Sequence, residues 1–348
     1  MRPRDFLRLA LAGLALAPLL RAWDHPGHSI VNQIALSSLP ADFPAFVREP
    51  ANVERIKFLS GEPDRWSHAA ELPIHHYNWP DHYLDLEQIA WAGLDLNTLP
   101  SFRYVFTAEF AAARARHPAA FPAIDADKNA DHTRELCGFL PWAVAEQYGM
   151  LKTAFASLKA YEELGTPEEI ANARADVVYV LGIMGHYVGD SAQPLHTTVH
   201  HAGWAGDNPH GYTTWPKIHS WIDGGLIRKA NIVFDDLAPR VTPAVLPSLA
   251  ARPDGRDPVF VASLDFILAQ NKLVEPLYQM EKAGKLGNQD PQQPVSAEGR
   301  SLIEGQLLKG GELLGSLWLA AWRTSAPDAY LHSVLQMRHQ PAPAKTQP

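Results

Sequence analysis

Val-Val-Tyr-Val-Leu-Gly-Ile-Met-Gly-His-Tyr-Val-Gly-Asp-Ser-Ala-Gln-Pro-Leu-His, residues 177–196, is the stretch that decides the fold. A surface helix shows one polar face. The segment 168–190 barely has one, because Val177, Val178, Val180, Leu181, Ile183 and Met184 surround it, so it is expected at the centre of a helical domain. His186 and Asp190 break the apolar run. Spaced four apart, they share one helix face. A carboxylate on so apolar a helix is expensive to bury without a cation or other partner. Imidazole nitrogen and carboxylate oxygen are usual zinc ligands, although one such pair alone is more often a satisfied histidine–carboxylate hydrogen bond. Pro194 should end the helix and turn the chain, swinging His196 back toward the helix end.

Outward from this stretch, the pattern repeats. His219 and Asp223 are again four apart, on a helix expected at about 216–230. Between the pairs lies a loop, 191–215, rich in Gly, His and Asn. Upstream, Gly165, Thr166 and Pro167 mark a boundary, and Thr166 with Glu169 has the spacing of a capping box for the central helix. Further helices are expected over 29–39, 52–60, 102–116, 131–164 (with a break near Pro141), 260–284 and 297–322. Residues 61–85 read as irregular, and the Pro-rich 239–258 as a surface connection. Sustained strand alternation is scarce. The expected fold is all-α in a single domain, residues 23–325, followed by a weakly structured tail, 326–348.

The chain has 348 residues, 46% of them hydrophobic, enough for a substantial core. Arg2 and Arg4 precede an apolar run from Phe6 to Leu20 that is too short for a membrane span. Residues 1–22 therefore read as a signal peptide cut after Ala22, which places the protein in the periplasm or outside the cell. No later segment reads as transmembrane, and a monomer is expected. Without residues 1–22 the balance is 26 basic against 37 acidic, a net −11 with His neutral. Such a surface is a poor match for passive, salt-driven nucleic-acid binding, but bound metal would reverse the local charge, and sixteen histidines point the same way. Cys137, the one cysteine, cannot form a disulfide within the chain. It is expected buried in an apolar helical stretch.

Five candidate ligands thus come from three segments: His186, Asp190, His196, His219 and Asp223. The polar region before them offers Asp64 and His82, among His68, His75, His76 and Asp85, and spacing alone does not choose between these. The start of the processed chain adds Trp23 and His28. An exposed Trp23 amine and its own carbonyl oxygen can close a chelate ring, and an α-amino group loses its proton readily.

Together, Trp23-Asp24-His25-Pro26-Gly27-His28, Pro63-Asp64-Arg65-Trp66, His82-Tyr83-Leu84-Asp85, His186 to Asp190 with Gln193-Pro194-Leu195-His196, and His219-Ser220-Trp221-Ile222-Asp223 resemble the zinc-dependent S1/P1 nuclease and phospholipase C family, in that family's order, over about residues 23–322. The resemblance implies an all-helical fold with three zinc ions in a cleft. It implies that Asp64, His82, His186 and Asp190 hold one zinc, and that the Trp23 amine and carbonyl, His28 and Asp190 hold a second, with Asp190 as the bridge. His196, His219 and Asp223 would hold the third. Asp64 and Asp190, bound to metal, would orient the activated water, whose pKa the zinc ions lower. The implied activity is hydrolysis of single-stranded DNA and RNA to 5′-phosphate products, with 3′-nucleotidase activity. Tyr83 is the candidate for stacking on a base.

The chain departs from the family between His196 and His219. The Gly-Gly-Asn stretch common in nucleases is replaced by His200 to Gly211, in which Asn208 corresponds loosely to the Asn and Trp204 is expected to reshape the substrate pocket. Asp24 stands where a small residue is usual. The altered loop and acidic surface keep a phospholipid or another phosphodiester open as the alternative substrate.

Overall fold

The computed structural model describes residues 24–338. The expected signal peptide, Trp23 and residues 339–348 lie outside them. Among the described residues there is no strand. The helices are α1 (His25–Ser38), α2 (Pro50–Leu59), α3 (Glu62–Ser67), α4 (Leu72–Asn78), α5 (Leu86–Trp91), α6 (Arg103–Arg116), α7 (Leu140–Leu164), α8 (Pro167–Ala192), α9 (Ile218–Ser220), α10 (Leu226–Lys229), α11 (Phe234–Leu237), α12 (Pro258–Asn271), α13 (Val274–Lys282), α14 (Ala297–Thr324) and α15 (Ala329–Arg338). None is long and apolar enough to cross a membrane.

α8 is central, touching α1, α2, α7, α12 and α14. It starts with the expected capping box: the Glu169 N–H donates to Thr166 Oγ1 and the Thr166 N–H to Glu169 Oε2. From Leu181 to Ala192 every residue is buried. Small residues set how closely its neighbours approach. A Cβ on Gly185 would fall 1.6 Å from Asn32 Oδ1 of α1, and one on Gly182 would fall 2.4 Å from the Leu59 Cβ of α2. The buried Asn32 amide donates to the Ile56 and Gly182 carbonyls, tying α1, α2 and α8 into one block. The end of α1, which carries His28, and the end of α8, which carries Asp190, are thereby held against each other.

Several expectations are corrected. Residues 61–85 are not irregular but hold α3, α4 and a 3₁₀ turn, Trp79–His82. Each has proline in its first turn, where the missing N–H costs nothing, and each is too short to show a period. Residues 131–139 are not helical. They form a strap beside 80–85, with Phe139 N–H to Pro80 C=O, Leu140 N–H to Tyr83 C=O and Asp85 N–H to Cys137 C=O. Gly138 makes the approach possible with a φ of 96°, since a Cβ there would lie 2.1 Å from the Tyr83 oxygen. Cys137 is buried, but in this strap. The expected helix 260–284 is two, α12 and α13, because Pro276 has no N–H for the Lys272 carbonyl. The tail is ordered through α15, which packs on α7 with Leu335 fully buried.

Candidate metal centre

The C-terminal turns of α8 bring His186 and Asp190 to one face, as the spacing requires. α8 ends at Ala192, and the chain turns through Pro194–Thr197 as a 3₁₀ turn. That turn returns His196 to the centre, where its Nδ1 lies 2.5 Å from the His82 carbonyl. His219 comes from α9 and Asp223 from the following π-helical turn, Trp221–Gly225. α3 supplies Asp64, the 3₁₀ turn after α4 supplies His82, and α1 supplies His28. Eight of the nine residues singled out as ligands thus converge; the ninth, Trp23, lies outside the described residues. They form three groups able to hold a metal ion: His28, His186 and Asp190; Asp64, His82 and His186; His196, His219 and Asp223.

Two donors about 2.0–2.1 Å from one ion at tetrahedral angles stand roughly 3.3–3.4 Å apart. Here His186 Nε2 lies 3.3 Å and His82 Nδ1 3.1 Å from Asp190 Oδ2. His28 Nε2 lies 3.4 Å from Asp190 Oδ1. His219 Nε2 lies 3.1 Å from Asp223 Oδ2, and Asp64 Oδ1 is 3.8 Å from His186 Nε2. The two oxygens of Asp190 therefore face different groups.

Hydrogen bonds behind the ligands fix which nitrogens carry protons. His186 Nδ1 is 2.7 Å from the Ser60 carbonyl. A carbonyl only accepts, so both this Nδ1 and that of His196 are donors. In the neutral rings Nε2 is then a bare lone pair. The lone pair of His186 points at Asp190 and at His82 Nδ1, 2.9 Å away. That of His196 meets His219 Nε2 at 2.8 Å. Both nitrogens of His28, together with His82 Nε2, His219 Nδ1, Asp190 Oδ1 and Asp223 Oδ2, are buried without a hydrogen-bond partner. Each neutral ring keeps one nitrogen without a proton, and such lone pairs crowded beside the Asp190 carboxylate with no donor to meet them call for a cation.

The charge states agree. Burial, reinforced by neighbouring imidazoles, holds His28 and His219 neutral, well below the ordinary histidine range. Burial also lowers His82, against the pull of Asp190. His186 is the exception: burial lowers it, but the Asp190 and Asp64 carboxylates outweigh burial and raise it. Asp190 is held well below the carboxylate range despite burial, by His186, His196 and its hydrogen bonds. Asp223 is pushed well above that range by burial, opposed by the Gln193 hydrogen bond, with Asp190, Asp64 and Asp24 adding repulsion. His28, His82 and His219 neutral beside a charged Asp190 are already in the form that binds metal, while His186 and Asp223 would release protons on binding it. The three groups are compatible with three metal ions.

The three residues read as substrate contacts are placed differently. The Asn208 amide closes its own loop, donating to the Tyr212 carbonyl and accepting from the Tyr212 N–H. Trp204 stacks on His200 at 4.0 Å and packs against Tyr212 and Tyr278, so it folds the 197–215 loop onto α13. Tyr83 lies partly buried against Gly138. Reading the residues alone passed over Ser60, whose carbonyl orients His186, and Gln193, whose amide donates to Asp223 Oδ1 at 2.6 Å while its oxygen accepts from the Leu195 N–H. A carbonyl's role leaves no trace in residue type. Gln193 did carry a signal, standing three residues from both Asp190 and His196. No model of a known protein family matches this chain, and no curated protein matches it.

Proposed function

We propose that the chain is a zinc-dependent phosphodiesterase that hydrolyses single-stranded DNA and RNA to 5′-phosphate products, with 3′-nucleotidase activity. One observation carries the reading. The Nε2 lone pairs of His186 and His196, locked by backbone carbonyls behind them, converge with carboxylate oxygens in a buried cluster. Zinc ions bound there would lower the pKa of water and stabilise charge on phosphoryl oxygens. Asp64, His82, His186 and Asp190 would hold one, His28 and Asp190 with Trp23 a second, and His196, His219 and Asp223 the third; His186 has a single free lone pair, at Nε2, and serves one ion.

The chain's own residues have distinct tasks. Asp190 offers one oxygen to each of two groups and keeps them together. Ser60 and the His82 carbonyl keep His186 and His196 in the tautomer that binds. Asp64, with 15% of its side chain exposed, and His219, with 9%, are the ligands most open to solvent, so substrate would enter past them. Tyr83 follows His82 and is the candidate base platform. The exported, processed form starting at Trp23 is the form this reading requires.

A lipid phosphodiester is favoured by a separate observation. Leu72, Ile74 and Tyr77 are exposed on α4, the helix lying between Asp64 and His82 in the chain. The test is an assay of the purified protein with zinc on single-stranded DNA, RNA, duplex DNA, 3′-nucleotides and phosphatidylcholine, each repeated with chelator. Chelator-sensitive cleavage of single strands with 5′-phosphate ends is expected. Cleavage of phosphatidylcholine alone selects the lipid reading, and no hydrolysis of any substrate refutes both.

A further inference from the structure

His28 differs from the other buried histidines of the centre. Carbonyls orient His186 and His196 from behind, whereas neither ring nitrogen of His28 has a hydrogen-bond partner. Its ring stacks on His186 at 3.9 Å, which sets its plane but aims neither nitrogen. The position of His28 must therefore come from the backbone that carries it, one turn into α1.

That turn is anchored by Asp24. Asp24 stands at the N-cap position of α1, but its side chain makes no capping bond there. It pairs instead with Arg228 of α10, with 12% of the aspartate and 58% of the arginine side chain exposed. The Asp24 N–H donates to the Asp223 carbonyl at 3.1 Å, and its own carbonyl accepts from the Gly27 N–H at 2.7 Å. Gly224 leaves room for this seat: a Cβ there would fall 2.5 Å from both Asp24 Cβ and Oδ2, and 2.7 Å from Arg228 Nη1. Asp24 is thus fastened to the segment that carries His219 and Asp223, while the helix it opens carries His28.

We infer that the Asp24–Arg228 pair is a positioning device for the metal centre: it sets α1 against the 218–229 segment and so aims His28 at Asp190. The inference rests on the metal reading above. Asp24 and Arg228 touch no reacting group. Asp24 opens the helix that carries His28 and directly follows Trp23, so the ion held by His28 and Asp190 should depend on the pair most, and the other two less.

The test replaces Arg228 by Met, which keeps the apolar stem and removes the charge. Zinc content is measured by elemental analysis, and stepwise affinities by competition with a chromophoric chelator. Wild type should bind three ions. R228M should bind one of them up to about fivefold more weakly, the most that an ion pair with a largely exposed partner supports, with the other two affected less. R228K should recover most of the loss, which a merely structural effect on the metal-free fold would not require. If R228M does not fold, Asp24→Asn, a near-isostere, should show the same selective weakening. Three unchanged affinities in the variant, beside three ions in wild type, overturn the inference alone. A wild type that binds no zinc overturns the metal reading and this inference with it.

Discussion

Replacing Asp190 by Asn should strip two metal ions from the centre, not one. Its Oδ2 stands with His82 and His186, at 3.1 and 3.3 Å, and its Oδ1 with His28, at 3.4 Å. Asn keeps the shape and supplies one oxygen without charge, so both groups lose their shared anion. The group of His196, His219 and Asp223 keeps its ligands. An ion that binds only the folded state stabilises it by about 2.7 kcal/mol when its free concentration is 100 times Kd. Losing two should therefore remove about 5 kcal/mol of zinc-dependent stability. His219→Ala touches one group and should remove about half as much. The assay is urea unfolding of wild type, D190N and H219A at fixed free zinc and again with chelator, beside elemental analysis. The expected contents are about three, one and two ions per chain. If D190N loses no more zinc or zinc-dependent stability than H219A, Asp190 is not shared, and the reasoning from its two oxygens is refuted.

Three further outcomes are expected. Gly185→Ala should destabilise the protein by about 2–5 kcal/mol in denaturant unfolding, because the new methyl displaces the buried Asn32 amide; a cost under about 0.5 kcal/mol would contradict the α1–α8 contact. Burial, reinforced by Glu87 against the Gln88 hydrogen bond, pushes Asp85 up to about 7. A carboxyl raised from 3.8 to that value favours the folded state below pH 4, and this contribution fades as pH rises through 7, by on the order of 4 kcal/mol in all. In chelator, Asp85→Asn should therefore flatten that descent and be more stable than wild type at pH 8, and parallel pH profiles would exclude it. Finally, because the Asp24 N–H is fixed on the Asp223 carbonyl, a residue left ahead of Trp23 should lower zinc content by one ion; a mass-verified extended protein with full zinc content would remove Trp23 from the ligand set.

What the sequence shows best is what local periodicity encodes. α8 is legible because its apolar residues go all the way round, and His186 and Asp190 are legible because four residues make one turn. Pro194 announces the turn that returns His196. Less legible are features that depend on distant partners. Asp64 and His82 cannot be told from His68, His75 and His76 until α3 and the turn after α4 are seen packed on α8. The strap at 131–139 runs without a Pro into the apolar start of α7, and only its bonds to 80–85 show that it is extended. Trp204 looked like a pocket residue because Tyr212 and Tyr278, which absorb it, are 8 and 74 positions away. α15 rests on little more than Leu335, too slight a pattern to read against a polar tail.

The most direct measurement is anomalous diffraction at the zinc edge from crystals grown with zinc. Three peaks should appear among His28, Asp64, His82, His186, Asp190, His196, His219 and Asp223, with Asp190 between two of them. Crystals that show no zinc there, or zinc only on exposed acidic side chains, would contradict the account at its foundation.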